Sequence, residues 1–159
     1  MFSFFRKEKN PVQLLAPVDG EAVELACVKD PVFAEKMLGD GVAIVPSGDQ
    51  VVAPANGRLS FLMDTGHAFG MKLDNGMEVL VHIGIDTVEL KGRGFKALVL
   101  PEAKVHAGEP VIQMDRTLIR QAGYDDTTML LVANHREFQE MKCMGRGRVQ
   151  AGKTVMISV

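Results

Sequence analysis

Glycine and proline interrupt this 159-residue chain every several residues, with 16 glycines and 7 prolines and no long stretch of helical period. A chain cut so often cannot build long helices, because glycine and proline both break the helical interior. Between the breaks lie short apolar or alternating runs. They predict strands at 13–16, 22–28, 42–45, 50–53, 58–64, 67–73, 77–83, 97–100, 111–114, 128–133 and 154–158. Many short strands separated by turn signals predict an all-β antiparallel sandwich or barrel. Helical pieces are limited to one or two turns, at 33–38, 116–122 and 137–142.

Two turns occur twice. Ala16-Pro17-Val18-Asp19-Gly20 recurs as Ala53-Pro54-Ala55-Asn56-Gly57, and the Val-x-x-Gly-x-x-Val segment Val105–Val111 recurs as Val149–Val155. The repeats predict a small β-unit used twice and wrapped into one body, too irregular for a solenoid. Residues 11–159 are expected to form one domain, long enough to bury a sizeable core, behind a short flexible segment at 1–10.

Eighteen basic against 20 acidic residues leave a formal charge of −2, which offers nucleic acid no basic face. No apolar run approaches the length of a membrane span and no signal peptide is evident, so a cytoplasmic protein without stable membrane insertion is expected. Met1-Phe-Ser-Phe-Phe-Arg-Lys is too short for either and reads as a frayed terminus rather than a membrane contact. Cys27 and Cys143 are expected as buried thiols, not a disulfide.

Chemistry concentrates around two histidines. Asp74-Asn75-Gly76 between alternating apolar residues signals a β-hairpin flanked by His67 and His82. Either two-residue loop, Asn75-Gly76 or Asp74-Asn75, keeps both imidazoles on one face. A three-residue loop reverses that parity. The predicted face holds Met63, Thr65, His67, Phe69, Met71 and Leu73 on one strand and Leu80, His82, Gly84 and Asp86 on the other. Such a pair suits zinc, if Asp64 or Asp86 completes the ligands, although no third His or Cys stands at convincing spacing. It also suits acid–base chemistry, which needs a pocket that short loops do not advertise. Phosphoryl transfer needs least: one neutral imidazole as nucleophile and a neighbouring donor for the phosphoryl oxygens. Apolar residues ringing a polar centre fit either core or a docking patch for another protein.

Val81-His82-Ile83-Gly84-Ile85-Asp86-Thr87-Val88-Glu89-Leu90-Lys91-Gly92, with Thr65-Gly66-His67-Ala68-Phe69, resembles the glucose-type enzyme IIA domain of the bacterial phosphoenolpyruvate-dependent sugar phosphotransferase system. The resemblance extends to Val32–Gly41 and Val52-Ala53-Pro54 and covers nearly the whole chain from about Leu14. It implies a β-sandwich built from a duplicated hybrid motif, and a phosphocarrier needing no cofactor, for which a monomer is the default expectation. It implies that His82 takes a phosphoryl group on Nε2 from phosphorylated HPr and passes it to a cysteine of the IIB domain of a sugar permease. His67 matches the auxiliary histidine that steadies the phosphoryl group, Thr65 the hydroxyl supporting it, and Gly84 the carbonyl that accepts from Nδ1 of His82. Asp30 and Asp86 match carboxylates that meet an arginine of the donor, a specific ionic pairing. Val32, Phe33, Met37, Leu38, Met63, Leu80 and Val88 fall on the family's apolar docking surface. Adventitious or regulatory zinc at His67 and His82 is the only metal implied. Gly66 departs from the family's more usual asparagine-like residue without removing a chemical group.

A biotinyl- or lipoyl-type carrier is the rival reading, since Met141-Lys142-Cys143-Met144 is similar to a modified-lysine hairpin. Lys142, however, lies immediately before the Val-x-x-Gly-x-x-Val turn instead of tens of residues upstream, and both histidines would be idle.

Overall fold

The structure is a computed structural model that describes residues 12–159; the expectation for segment 1–10 lies outside them. In chain order the elements are β1 (Gln13–Leu15), β2 (Gly20–Glu24), α1 (Pro31–Ala34), β3 (Asp40–Pro46), β4 (Gln50–Val52), β5 (Gly57–Leu62), β6 (Ala68–Lys72) and β7 (Glu78–Ile83). They continue with β8 (Phe95–Ala97), β9 (Lys104–Val105), β10 (Pro110–Met114), α2 (Arg116–Gln121), β11 (Thr128–Val132), β12 (Lys142–Cys143), β13 (Gly147–Val149) and β14 (Val155–Ser158). The main sheet has eight strands in the order β13-β2-β3-β11-β7-β6-β5-β9, and two three-stranded sheets, β1-β14-β12 and β4-β10-β8, complete an all-antiparallel β-body.

Each predicted strand has a counterpart. The 22–28 run is a strand only to Glu24 and then tightens into a 3-10 turn, Leu25–Cys27, while the 97–100 strand sits earlier, at Phe95–Ala97. The helical piece expected at 33–38 is one turn at Pro31–Ala34, started by proline and capped by Asp30, whose side chain accepts from the Val32 amide at 2.9 Å. The 137–142 piece is a 3-10 turn at His135–Glu137 followed by β12. Strands β9, β12 and β13, of two or three residues, are too short to show periodicity.

The duplication is written in paired hydrogen bonds. The Gly108 amide donates to the Ala53 carbonyl and the Gly152 amide to the Ala16 carbonyl, both at 2.8 Å. Asn56 Oδ1 accepts from the Ala107 amide at 2.8 Å, and Asp19 Oδ1 from the Ala151 amide at 2.7 Å. The copies also exchange bonds, Leu15 N to Pro54 O and Val52 N to Pro17 O. Equivalent residues thus make equivalent bonds at both corners.

The inner face of the main sheet meets the smaller sheets in the principal core, which includes Leu14, Ile44, Phe69, Ile83, Leu130 and Ile157. A second cluster, Leu25, Val28, Phe33, Ala43, Met129 and Leu131, lies on the outer face under the 25–38 segment. Cys27 and Cys143 correct their expectation: both are exposed and unpaired, Cys27 ending the 3-10 turn and Cys143 on the edge strand β12. Among the described residues no helix is long and apolar enough to cross a membrane.

The central hairpin also departs from expectation. Its loop has three residues: Leu73 N donates to Met77 O, Gly76 N to Leu73 O, and Gly76 takes φ +88°. Ala68, not His67, therefore stands opposite His82. Phe69 and Met71 pair with Val81 and Val79, and with Leu73 they join the principal core, on the face opposite His82. The loop is held from a distance. Asn134 Nδ2 donates to Gly76 O at 2.8 Å, and its Oδ1 accepts from the Glu78 amide at 2.9 Å.

Candidate functional site

His82 projects from near the end of β7 onto the outer face of the main sheet, between Ala68 and Met129 on the flanking strands. Phe33 leans on it, ring centroids 4.9 Å apart at 57°. Its Nδ1 lies 2.9 Å from the Gly84 carbonyl oxygen. A carbonyl can only accept, so Nδ1 carries the hydrogen and Nε2 keeps its lone pair. Gly84 holds that carbonyl in place with φ +81°, its own amide donating to Thr127 O at 2.9 Å. A Cβ at Gly84 would stand 2.3 Å from Thr87 Cγ2 and 2.9 Å from Asp125 O. The Thr87 hydroxyl donates back to Ile83 O, which closes the turn after β7.

His67 arrives by a route that strand parity does not describe. It precedes β6, in a turn where Gly66 N donates to Met63 O and Gly66 takes φ +72°, a conformation that asparagine also tolerates. Its carbonyl accepts from the Ile83 amide at 2.7 Å, keeping the backbone beside β7. Free of the pleat, the side chain swings onto the outer face. The two imidazoles meet at 5.1 Å between centroids, near edge-on at 77°. Thr65 Oγ1 hydrogen-bonds His67 Nδ1. With the hydroxyl donating, His67 carries its hydrogen on Nε2 and can donate it.

Both rings are held neutral. Burial, reinforced by the neighbouring His67 and only partly opposed by the Gly84 hydrogen bond and by Asp30 and Asp86, lowers the His82 pKa from 6.5 to about 4. Burial likewise lowers that of His67, which is 5% exposed. The site thus couples one Nε2 lone pair to a neighbouring Nε2 hydrogen. That arrangement can accept an electrophilic phosphorus and bind its oxygens.

Asp30, Val32, Leu38, Asp86 and Val88 surround His82 in a shallow depression of about 220 Å³. Asp86 stands in the left-handed region, φ 59°, before a 3-10 turn at Thr87–Leu90. Of the residues expected on a docking surface, Val32, Met37, Leu38, Met63 and Val88 are exposed, Met37 most at 68%. Leu80 is half-buried against the outer cluster. Phe33 is corrected: at 4% exposure it is not available to a partner, because the single turn of α1 drives its ring between the outer cluster and His82. Phe61, 40% exposed, belongs to the same face and was missed. A β-bulge between Leu59 and Phe61 shifts the register and turns Phe61 out of the core, and sequence alternation carries no mark of it.

Among the described residues no three His, Cys, Asp or Glu side chains converge as metal ligands. Lys142 lies within β12, paired with Ser158 of β14.

Comparison with known proteins agrees with this geometry. The family model of the phosphoenolpyruvate-dependent sugar phosphotransferase system, EIIA 1, matches residues 12–138. A protein of Buchnera aphidicola subsp. Baizongia pistaciae named PTS system glucose-specific EIIA component is 39% identical, over 99% of this chain and 97% of its own length. The PTS system glucose-specific EIIBCA component of Corynebacterium glutamicum is 40% identical over 91% of this chain, which spans 22% of that longer protein. The solved glucose permease IIA from Mycoplasma capricolum superposes with a TM-score of 0.82 at 34% identity, covering 94% of this chain and 96% of that one. The chain belongs to the EIIA family of the phosphoenolpyruvate-dependent sugar phosphotransferase system.

Proposed function

We propose that this protein, residues 11–159 acting as one domain, carries a phosphoryl group on His82 Nε2 between phosphorylated HPr and the cysteine of a sugar-permease IIB domain. The observation that carries this reading is the 2.9 Å contact between His82 Nδ1 and Gly84 O, which leaves the lone pair on Nε2. In the first transfer that lone pair attacks phosphorus. The Nε2–P bond forms as the donor's P–N bond breaks, and the electron pair returns to the donor's imidazole. In the second, a thiolate attacks phosphorus and the pair returns to Nε2. His67, supported by Thr65, donates to a phosphoryl oxygen in both. Asp30 and Asp86 receive a donor arginine, and Val32, Met37, Leu38, Met63, Leu80 and Val88 form the apolar contact.

The reaction needs no metal and no organic cofactor, so zinc at His67 and His82 would be adventitious or regulatory. The Corynebacterium glutamicum relative, an EIIBCA component by name, joins A to B and C components in one chain, which supports a IIB partner here. We place the protein in the cytoplasm as a monomer, where both partners can reach His82 in turn.

Incubation with phosphoenolpyruvate, enzyme I and HPr tests the proposal. One acid-labile, alkali-stable phosphoryl group should appear. His82→Gln should abolish it, and His67→Gln should accept the group but pass it poorly to a IIB domain. Labelling of the His82→Gln protein at the normal stoichiometry would refute the nucleophile.

A further inference from the structure

The carbonyl that sets the His82 tautomer belongs to one planar peptide unit, in which Gly84 C=O is joined to Ile85 N–H. One end of that unit faces the ring, with Gly84 O 2.9 Å from His82 Nδ1. The other end is held by a different part of the chain, the Ile85 amide donating to Asp125 O at 3.0 Å. In a trans peptide the C=O and N–H point in opposite directions, so holding the N–H fixes where the carbonyl points. The preceding amide is held as well, Gly84 N donating to Thr127 O at 2.9 Å. Successive amides of the turn after β7 thus rest on the carbonyls of Asp125 and Thr127, just ahead of β11.

The spacing of those two carbonyls is set by one side chain. Asp125 Oδ1 accepts from the Thr127 amide at 2.8 Å and from the Thr127 hydroxyl at 2.6 Å. A carboxylate that bonds the backbone two residues on closes an Asx turn, here reinforced by the hydroxyl. The neighbouring residues are anchored without it. Arg120 Nε donates to the buried carboxylate of Asp126 at 2.8 Å, and Thr128 Oγ1 donates to Asp126 O at 3.1 Å. Thr128 also pairs with Ile83 across the sheet. Asp125 itself is exposed and enters none of the ion pairs among the described residues. Its bonds to Thr127 place the carbonyls that hold the Gly84 turn.

We propose that Asp125 is a positioning residue for phosphoryl transfer: with Thr127 it clamps the Gly84–Ile85 peptide, which keeps Gly84 O on His82 Nδ1 and the lone pair on Nε2. This role rests on the phosphocarrier reading. When the clamp is lost the peptide is free to rotate and the Nδ1 hydrogen loses its acceptor. Part of the ring population then exchanges that hydrogen, through water, to Nε2, where no lone pair is left to attack phosphorus.

Substitutions at both residues test it. Asp125→Ala removes the clamp, Asp125→Asn keeps the acceptor without the charge, and Thr127→Val removes the hydroxyl bond alone. Each protein is followed unphosphorylated by ¹⁵N NMR for the His82 tautomer, and in labelling over a range of phospho-HPr concentrations. Asp125→Ala should move a measurable part of His82 to the Nε2–H tautomer. Its saturated labelling rate should fall about fivefold, the effect of one lost hydrogen bond, with KM for phospho-HPr unchanged. Asp125→Asn should match wild type in both measurements. Thr127→Val should show a smaller change of the same sign, reversed in Thr127→Ser, so the test survives a misfolded Asp125→Ala. A wild-type tautomer and rate in Asp125→Ala overturn the clamp, while labelling of the wild-type protein still upholds the carrier. Equal losses in Asp125→Ala and Asp125→Asn overturn it too, because the charge and not the acceptor would then matter. Wild-type protein that is never labelled refutes the carrier and the clamp's role with it.

Discussion

Gly108 and Gly152, equivalent positions in the two copies of the repeated turn, press against each other at the junction of the copies. A Cβ on Gly152 would stand 2.9 Å from Gly108 Cα, and Gly152 itself takes φ +71°. At Gly152 the two similar corners meet too closely for a side chain, whereas a Cβ on Gly108 would find ordinary contact at 3.7 Å.

Gly152→Ala should therefore cost about 2–3 kcal/mol, combining left-handed strain with the backbone clash. Gly76→Ala provides the contrast, since Gly76 has φ +88° but nothing within 4 Å of an added Cβ, and should cost about 1 kcal/mol. Urea denaturation measures both. Equal costs would mean that the junction relaxes freely.

The depressed His82 pKa sets the behaviour with pH. Because the ring is neutral down to about pH 4, phosphoryl acceptance should be flat from about pH 8 to about pH 6 and fall as pH approaches 4. Between 4 and 6.5 an unfolded imidazole binds a proton that folded His82 refuses. Its contribution to stability is thus complete above 6.5 and is lost as pH falls toward 4. His82→Gln should flatten the stability profile in that window. A His82 titration near 6.5, followed by NMR, contradicts the account.

Phe33 packs directly on the His82 ring, with 4.9 Å between centroids, and so excludes water from it. Phe33→Ala should cost about 3–5 kcal/mol by opening the outer cluster. It should also raise the His82 pKa toward 6.5, since burial is the main cause of its depression. A stable variant with an unshifted titration would place the desolvation elsewhere.

Gly84 acts through the His82 tautomer. Gly84→Ala must displace either Thr87 or the Asp125 carbonyl and so move the carbonyl away from Nδ1. Labelling should slow by roughly tenfold or more, with part of the ring population changing tautomer in ¹⁵N spectra. Unchanged labelling alongside a changed tautomer would disconnect the two.

Much of the fold was legible because its determinants are local. Turn chemistry at Ala16–Gly20, Ala53–Gly57 and the two Val-x-x-Gly-x-x-Val segments is repeated in sequence, and its hydrogen bonds are repeated in the structure. Around the site, the motif residues Thr65, His67, His82, Gly84 and Asp86 were legible too. Their arrangement was not. Parity placed both histidines on one face only through a two-residue loop, which the chain does not form. They meet because the turn at Asp64–Gly66 releases His67 from the pleat before β6 begins.

The sequence by itself determined an all-β chain of short strands, a duplicated corner, and which imidazoles and carboxylates are available for chemistry. Those properties follow from the residues' own turn and strand preferences. Tertiary structure decided the loop length, where Asn134 reaches back 58 residues to hold Gly76. It also buried Phe33 against His82 and sent Phe61 out of the core to lie over Gly70. Each of these depends on partners far away in the chain, and a side chain's face, burial and pKa are properties of those partners as much as of the residue itself.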